Sequence, residues 1–68
     1  MVQRVYRVPD VSCQHCVRAI TGELQKIPGV QSVHVDLDTK LVTVVADESV
    51  SDEQIRAGIE EAGYEIAA

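Results

Sequence analysis

Two stretches of alternation flank a short polar turn in the middle of the chain. Val33, Val35 and Leu37 alternate with Ser32, His34 and Asp36, and Val42, Val44 and Ala46 repeat at the same spacing after Asp38-Thr39-Lys40. A period of two is that of a β-strand, whose successive side chains point to opposite faces. The pattern predicts a hairpin with one apolar face and one wet face. Its apolar face has to be covered by other parts of the chain.

Two helical patterns can supply that cover. Between Gln14 and Ile27 the apolar residues Val17, Ile20, Leu24 and Ile27 fall within about 80° of one another at 100° per residue, an amphipathic stripe. Gly22 lies on the opposite, solvent side, and Pro28-Gly29 stops the helix, with Gly placed for a left-handed turn. Ser51-Asp52-Glu53-Gln54 is a capping box, with Val50 and Ile55 as its hydrophobic staple. Ile55, Ile59 and Ala62 form the second stripe, Gly58 at its edge suits close approach to the sheet, and Gly63 ends the helix. Val2 to Val8 predicts a first strand with Tyr6 and Val8 facing inward, broken by Pro9-Asp10. Tyr64 to Ile66 predicts a short last strand.

The order is β-α-β-β-α-β. Two right-handed βαβ halves make an α+β, ferredoxin-like fold: a four-stranded antiparallel sheet with two helices on one face. With 68 residues, positions 1–68 are expected to form one domain, near the lower size limit for a single unstapled core.

Charge and composition remove whole classes of function. A net charge of −5, with Arg4, Arg7, Arg18, Lys26, Lys40 and Arg56 scattered along the chain, argues against nucleic acid, which needs a basic patch. No apolar run is long enough to cross a bilayer and no charged-then-apolar leader opens the sequence, so cytoplasmic residence without membrane insertion is expected. The two cysteines stand together, which does not suit a secreted disulfide framework. A reducing compartment with a working thiol pair suits them better.

Those cysteines sit in Val11-Ser12-Cys13-Gln14-His15-Cys16, directly before the first helical pattern. Two thiols two residues apart can converge on one atom when the first lies in a loop and the second in the first helical turn. Unpaired N–H groups and the positive end of the helix dipole collect there and favour thiolate over thiol. From the residues alone, the pair is either a two-thiolate metal clip or a dithiol redox pair.

With these pieces in this order, the chain resembles the heavy-metal-associated domain family, and within it the small bacterial cytosolic copper chaperones. The resemblance covers essentially the whole length. It rests on Cys13-Gln14-His15-Cys16 after the first strand, Pro28-Gly29-Val30 after the first helix, the Val33/Val35 strand and Glu60-Glu61-Ala62-Gly63-Tyr64. It implies binding of one Cu(I) by the sulfurs of Cys13 and Cys16 and delivery to the metal-binding domain of a copper-transporting P-type ATPase, with no enzymatic activity. Val11 stands where the family commonly has a Met that packs under the loop without ligating. Ser12 stands where zinc-selective relatives often carry Asp, which favours copper. Tyr64 resembles the tyrosine that bacterial members place beside the metal, although a core aromatic reads the same way in sequence.

Thiolates select soft Cu(I) over harder cations, and two of them leave it open to a third thiolate from a partner. Zinc prefers a closed tetrahedral set, and the chain has no second CxxC; His34 on the outer face of its strand is poorly placed to complete one. His15 is either a solvated loop residue, or a group that tunes thiolate basicity or lends a ligand in a metal-bridged homodimer. A thioredoxin-like enzyme also places CxxC at a helix start, but this chain has no Trp, no Phe and no Pro between its cysteines. A regulatory metal-binding domain of an ATPase would share the site; the initial Met1 and the lack of a linker favour a free-standing protein.

Overall fold

The computed structural model describes residues 1–67. The elements are β1 (Val2–Arg7), α1 (Gln14–Gln25), β2 (Val30–Asp36), β3 (Leu41–Ala46) and α2 (Asp52–Glu61). β3 is the central strand of a three-stranded sheet in the order β1-β3-β2. Both of its pairings are antiparallel, with Tyr6 opposite Val42 on one side and Val35 opposite Val42 on the other. That register puts Tyr6, Val35 and Val42 in one row on the inner face, where all three are buried. Val5, one residue out of phase, is 52% exposed on the outer face. The alternation in the sequence therefore sets the faces as expected.

The helices close the inner face. Ile20 and Leu24 of α1, Ile55 and Ile59 of α2, and Val8, Val11, Val42 and Val44 form one continuous core without exposed surface. At about 1.5–3 kcal/mol for each large aliphatic side chain fully withdrawn from water, this cluster is the main source of cohesion in so small a chain. α1 ends at Gln25, two residues before Ile27, because its last turn tightens: Lys26 and Ile27 donate to the carbonyls of Glu23 and Leu24. Ser51 caps α2 as the sequence predicts, its hydroxyl accepting from the Gln54 N–H while the Gln54 side chain accepts from the Ser51 N–H.

Two expectations need correction. The Tyr64–Ile66 segment is not a strand, so the expected four-stranded sheet has three strands among the described residues. A strand requires a repeated ladder, and here one bridge forms, at Ala67, whose N–H donates to the Arg7 carbonyl at 2.8 Å. The chain leaves α2 through a left-handed Gly63 and comes alongside β1 only at that point. Gly58 does not make room for the sheet. A Cβ there would lie 2.8 Å from Leu24 Cδ2 and 3.4 Å from Ile27 Cδ1, so the close approach is between α2 and α1.

One tertiary bond carries no sequence signal. The Tyr6 hydroxyl, buried on β1, donates to an Asp52 carboxylate oxygen in the first turn of α2. Burial and this bond push Tyr6 up to about 12. The same bond, ahead of the Arg56 guanidinium, holds Asp52 below the usual carboxylate range.

Three substitutions test this account. Gly22 faces open space, so Gly22→Ala should stabilise the fold by about 0.5–1 kcal/mol in urea denaturation. Gly58→Leu should destabilise it by about 1–3 kcal/mol through overpacking between the helices. Tyr6→Phe should cost about 1 kcal/mol at neutral pH, less than a fully buried charged bond because Asp52 keeps contact with water. A depressed carboxyl stabilises above its ordinary pKa of about 3.9 and loses that contribution as pH falls through its lowered value. The gap between Tyr6→Phe and the wild type should therefore close on acidification; a constant gap would show that the bond contributes nothing through Asp52.

Candidate metal centre

The loop between β1 and α1 is tied down before it reaches the thiols. Val8 and Val11 are fully buried, and the Val11 N–H donates back to the Val8 carbonyl at 3.3 Å. Val11 thus fills apolar space under the loop, the role its position implied. Ser12 and Cys13 then emerge into solvent. Cys13 is the N-cap of α1, with extended backbone (φ −155°, ψ 171°) and a side chain that makes no capping bond. Its carbonyl accepts from the N–H groups of Cys16 at 3.0 Å and Val17 at 3.3 Å, which begins the helix. The Cys13 sulfur is left free to face outward.

Cys16, one turn on, lies at the edge of the α1 stripe and is buried at 8% exposure, while Cys13 is exposed. The two sulfurs are 3.7 Å apart, within hydrogen-bond range, and form no disulfide. The Cys16 thiol is held down to about 6, first by the Tyr64 hydroxyl and next by the Ser12 backbone N–H, against the opposing effect of burial. These contacts favour the thiolate form of Cys16 over the thiol. The same contact raises the Tyr64 phenol, as expected of a donor facing a sulfur anion.

Tyr64 reaches this place because α2 ends abruptly. Gly63, at φ +93°, takes a left-handed conformation that side chains rarely adopt. The Gly63 and Tyr64 N–H groups then bond back to Glu60 and Ile59. The sequence left Tyr64 between a core aromatic and a neighbour of the site; the structure places it half-buried beside Cys16. His15 projects from the first turn of α1 and is exposed, and His34 is exposed on β2. Among the described residues, no cluster of three or more His, Cys, Asp and Glu side chains forms a cage for an ion.

Lys40 is a neighbour of the loop that sequence reasoning missed. It lies in the β2–β3 turn, and its ammonium donates to the Val11 carbonyl at 2.7 Å, across 29 positions of sequence. A lysine in a polar turn carries no sequence signal of such a reach.

Residues 5–65 match the heavy-metal-associated domain. The chain belongs to this family. It is 43% identical over 67 residues to the copper chaperone CopZ of Staphylococcus haemolyticus, covering 97% of this chain and 98% of that one. Its fold superimposes on a solved CopZ metallochaperone with a TM-score of 0.93 at 36% identity, covering 97% of this chain and all of the other. It is also similar to a copper-binding domain of the P-type ATPase HMA7, with a TM-score of 0.89 at 31% identity, covering 100% of this chain and 96% of that domain. No helix of the described residues is long and apolar enough to cross a membrane.

The local electrostatics can be read directly. Following thiolate ultraviolet absorbance against pH in the reduced, metal-free protein, one thiol should ionise near pH 6, at the value to which Cys16 is lowered. Tyr64→Phe should move that midpoint upward, toward the ordinary thiol range. An unchanged midpoint would remove Tyr64 from the causes.

Proposed function

We propose that this protein is a copper chaperone: Cys13 and Cys16 bind one Cu(I), which is delivered to the metal-binding domain of a copper-transporting P-type ATPase. The observation that carries this reading is the pair of sulfurs 3.7 Å apart, at the start of a helix on a fold like that of CopZ along its whole length. At metal–sulfur lengths of about 2.3 Å, as for zinc thiolates, one ion reaches both sulfurs at that separation, and a straight S–metal–S line needs about 4.6 Å. Rotation of exposed Cys13 supplies the difference while Cys16 stays anchored.

The copper is cargo. Two thiolates satisfy a soft Cu(I) ion without saturating it, so a partner thiolate can add before either first ligand leaves. The partner meets the exposed Cys13 side of the site first. The exchange changes only ligands on the metal, so the protein acts as a carrier and not as an enzyme. The absence of a third ligand from the described cluster supports copper over zinc, which favours a closed tetrahedron. Ser12 in place of an acidic residue supports the same choice. Exposed His15 is the group through which a metal-bridged homodimer would draw an auxiliary ligand. The expected compartment is the cytoplasm, where thiols remain reduced.

The likeness to the HMA7 domain favours one second reading, a metal-binding domain serving within an ATPase. Both readings share the two cysteines and differ in whether metal passes to another chain.

Anaerobic titration of the reduced protein with Cu(I) against a competing chelator, repeated with Zn(II), tests the assignment. One Cu(I) per chain should bind far more tightly than Zn(II), and either Cys13→Ser or Cys16→Ser should abolish tight binding. Equal or stronger retention of zinc would sink the copper reading. Transfer from the loaded protein to an isolated ATPase metal-binding domain, followed by separating the two, then distinguishes carrier from resident domain.

A further inference from the structure

Among the described residues, Lys40 is the one non-glycine residue with a left-handed backbone, at φ +64°. A β-carbon is disfavoured there, and turns that need this conformation ordinarily use Gly, Asn or Asp. The turn itself is otherwise well made. The Asp36 carboxylate accepts from the N–H groups of Asp38 and Thr39 at 2.9 and 3.3 Å, and the Lys40 N–H donates to the Asp36 carbonyl at 2.9 Å. Nothing in these bonds requires a lysine side chain.

The requirement lies on the other side of the residue. The Lys40 carbonyl accepts from the Val8 N–H at 2.8 Å, and its ammonium donates to the Val11 carbonyl at 2.7 Å. Lys40 therefore grips both ends of the four-residue segment that leads from β1 to Ser12 and Cys13. From below, the buried side chains of Val8 and Val11 hold the same segment. Backbone strain retained at a residue whose long side-chain bond goes to the candidate site points to a role in that site. A glycine would relieve the strain and would also release the Val11 carbonyl.

We propose that Lys40 is a positioning residue for the metal loop: its side-chain clasp on the Val11 carbonyl, beside the main-chain bond to Val8, holds Cys13 at bonding range of Cys16 before metal arrives. This rests on the Cu(I)-carrier reading. Preorganisation of this kind reduces the ordering needed on binding. The ammonium is bonded to a loop carbonyl and not to a core side chain, so its loss acts first on loop geometry.

Three variants of the full chain test it: Lys40→Gly, which removes the strain and the side-chain bond to Val11 while keeping the main-chain bond to Val8; Lys40→Met, which keeps the strain and the stem but removes the donor; and Lys40→Arg, which keeps a donor. In the metal-free protein, amide hydrogen exchange at Ser12 and Cys13 should accelerate in Lys40→Gly and Lys40→Met and return toward wild type in Lys40→Arg. Cu(I) affinity by chelator competition should fall about three- to tenfold in the first two variants, the effect of one ordinary lost hydrogen bond, and recover in the third. The melting temperature should rise or hold in Lys40→Gly, since its backbone is relieved, and not in Lys40→Met. Unchanged Cu(I) affinity in Lys40→Gly or Lys40→Met, or affinity that follows the melting temperature across the series, overturns the proposal. Should the wild type itself fail to take Cu(I), the carrier reading falls and loop exchange alone judges the clasp. Faster exchange in both variants, reversed by arginine, upholds it; unchanged exchange removes it.

Discussion

Everything in this molecule depends on covering one face of a three-stranded sheet with two short helices. So small a chain has little apolar surface to bury, and the inner face is the one place where enough can be gathered. Ile20, Leu24, Ile55 and Ile59 meet Val42 and Val44 there and are fully withdrawn from water. Gly58 lets the helices draw together over that layer, against Leu24 and Ile27. With the core closed, the position and tilt of α1 are set, and the candidate site is built on its first turn.

The site is a junction of three segments, two that adjoin in sequence and one from near the end of the chain. The loop after β1 brings Ser12 and Cys13, α1 brings Cys16, and the chain leaving α2 brings Tyr64. The β2–β3 turn adds Lys40 from the far side of the loop. Each segment is anchored by the core: Val11 beneath the loop, Cys16 beside Ile20 on the α1 stripe, and Gly63 turning back after Ile59. A hydroxyl and a backbone N–H then lower one thiol, while the other remains exposed.

This division between the two sulfurs suits ligand exchange. On the proposed carrier reading, a site that releases its cargo needs one ligand that keeps its place and one that a partner can approach. Burial fixes Cys16, and the N-cap position leaves Cys13 exposed, with a side chain that makes no capping bond. A closed tetrahedral cage would hold metal more firmly and would leave no open approach for an incoming thiolate. Rigidity in the scaffold and openness at the sulfurs are compatible because the core lies beneath the loop and the exposed sulfur above it.

The sequence by itself determined most of the elements and the faces they bury. Alternation at 33–46 identified the hairpin, the stripes at Val17 to Leu24 and at Ile55 to Ile59 identified the helices, and Ser51 to Gln54 marked a cap. These signals are local: each depends on residues within a turn or two of one another. The CxxC position was legible for the same reason, since a loop and a helix start adjoin in sequence. What only the tertiary structure decided was pairing between distant segments. The end of the chain meets β1 at one bridge instead of along a strand, Gly58 faces a helix instead of the sheet, and Tyr6 reaches Asp52 across 46 positions. Tyr64 beside Cys16 and Lys40 on the Val11 carbonyl belong to the same class. No periodicity encodes such contacts, because they depend on how packed elements are placed against one another, and that placement is settled only when the whole core closes.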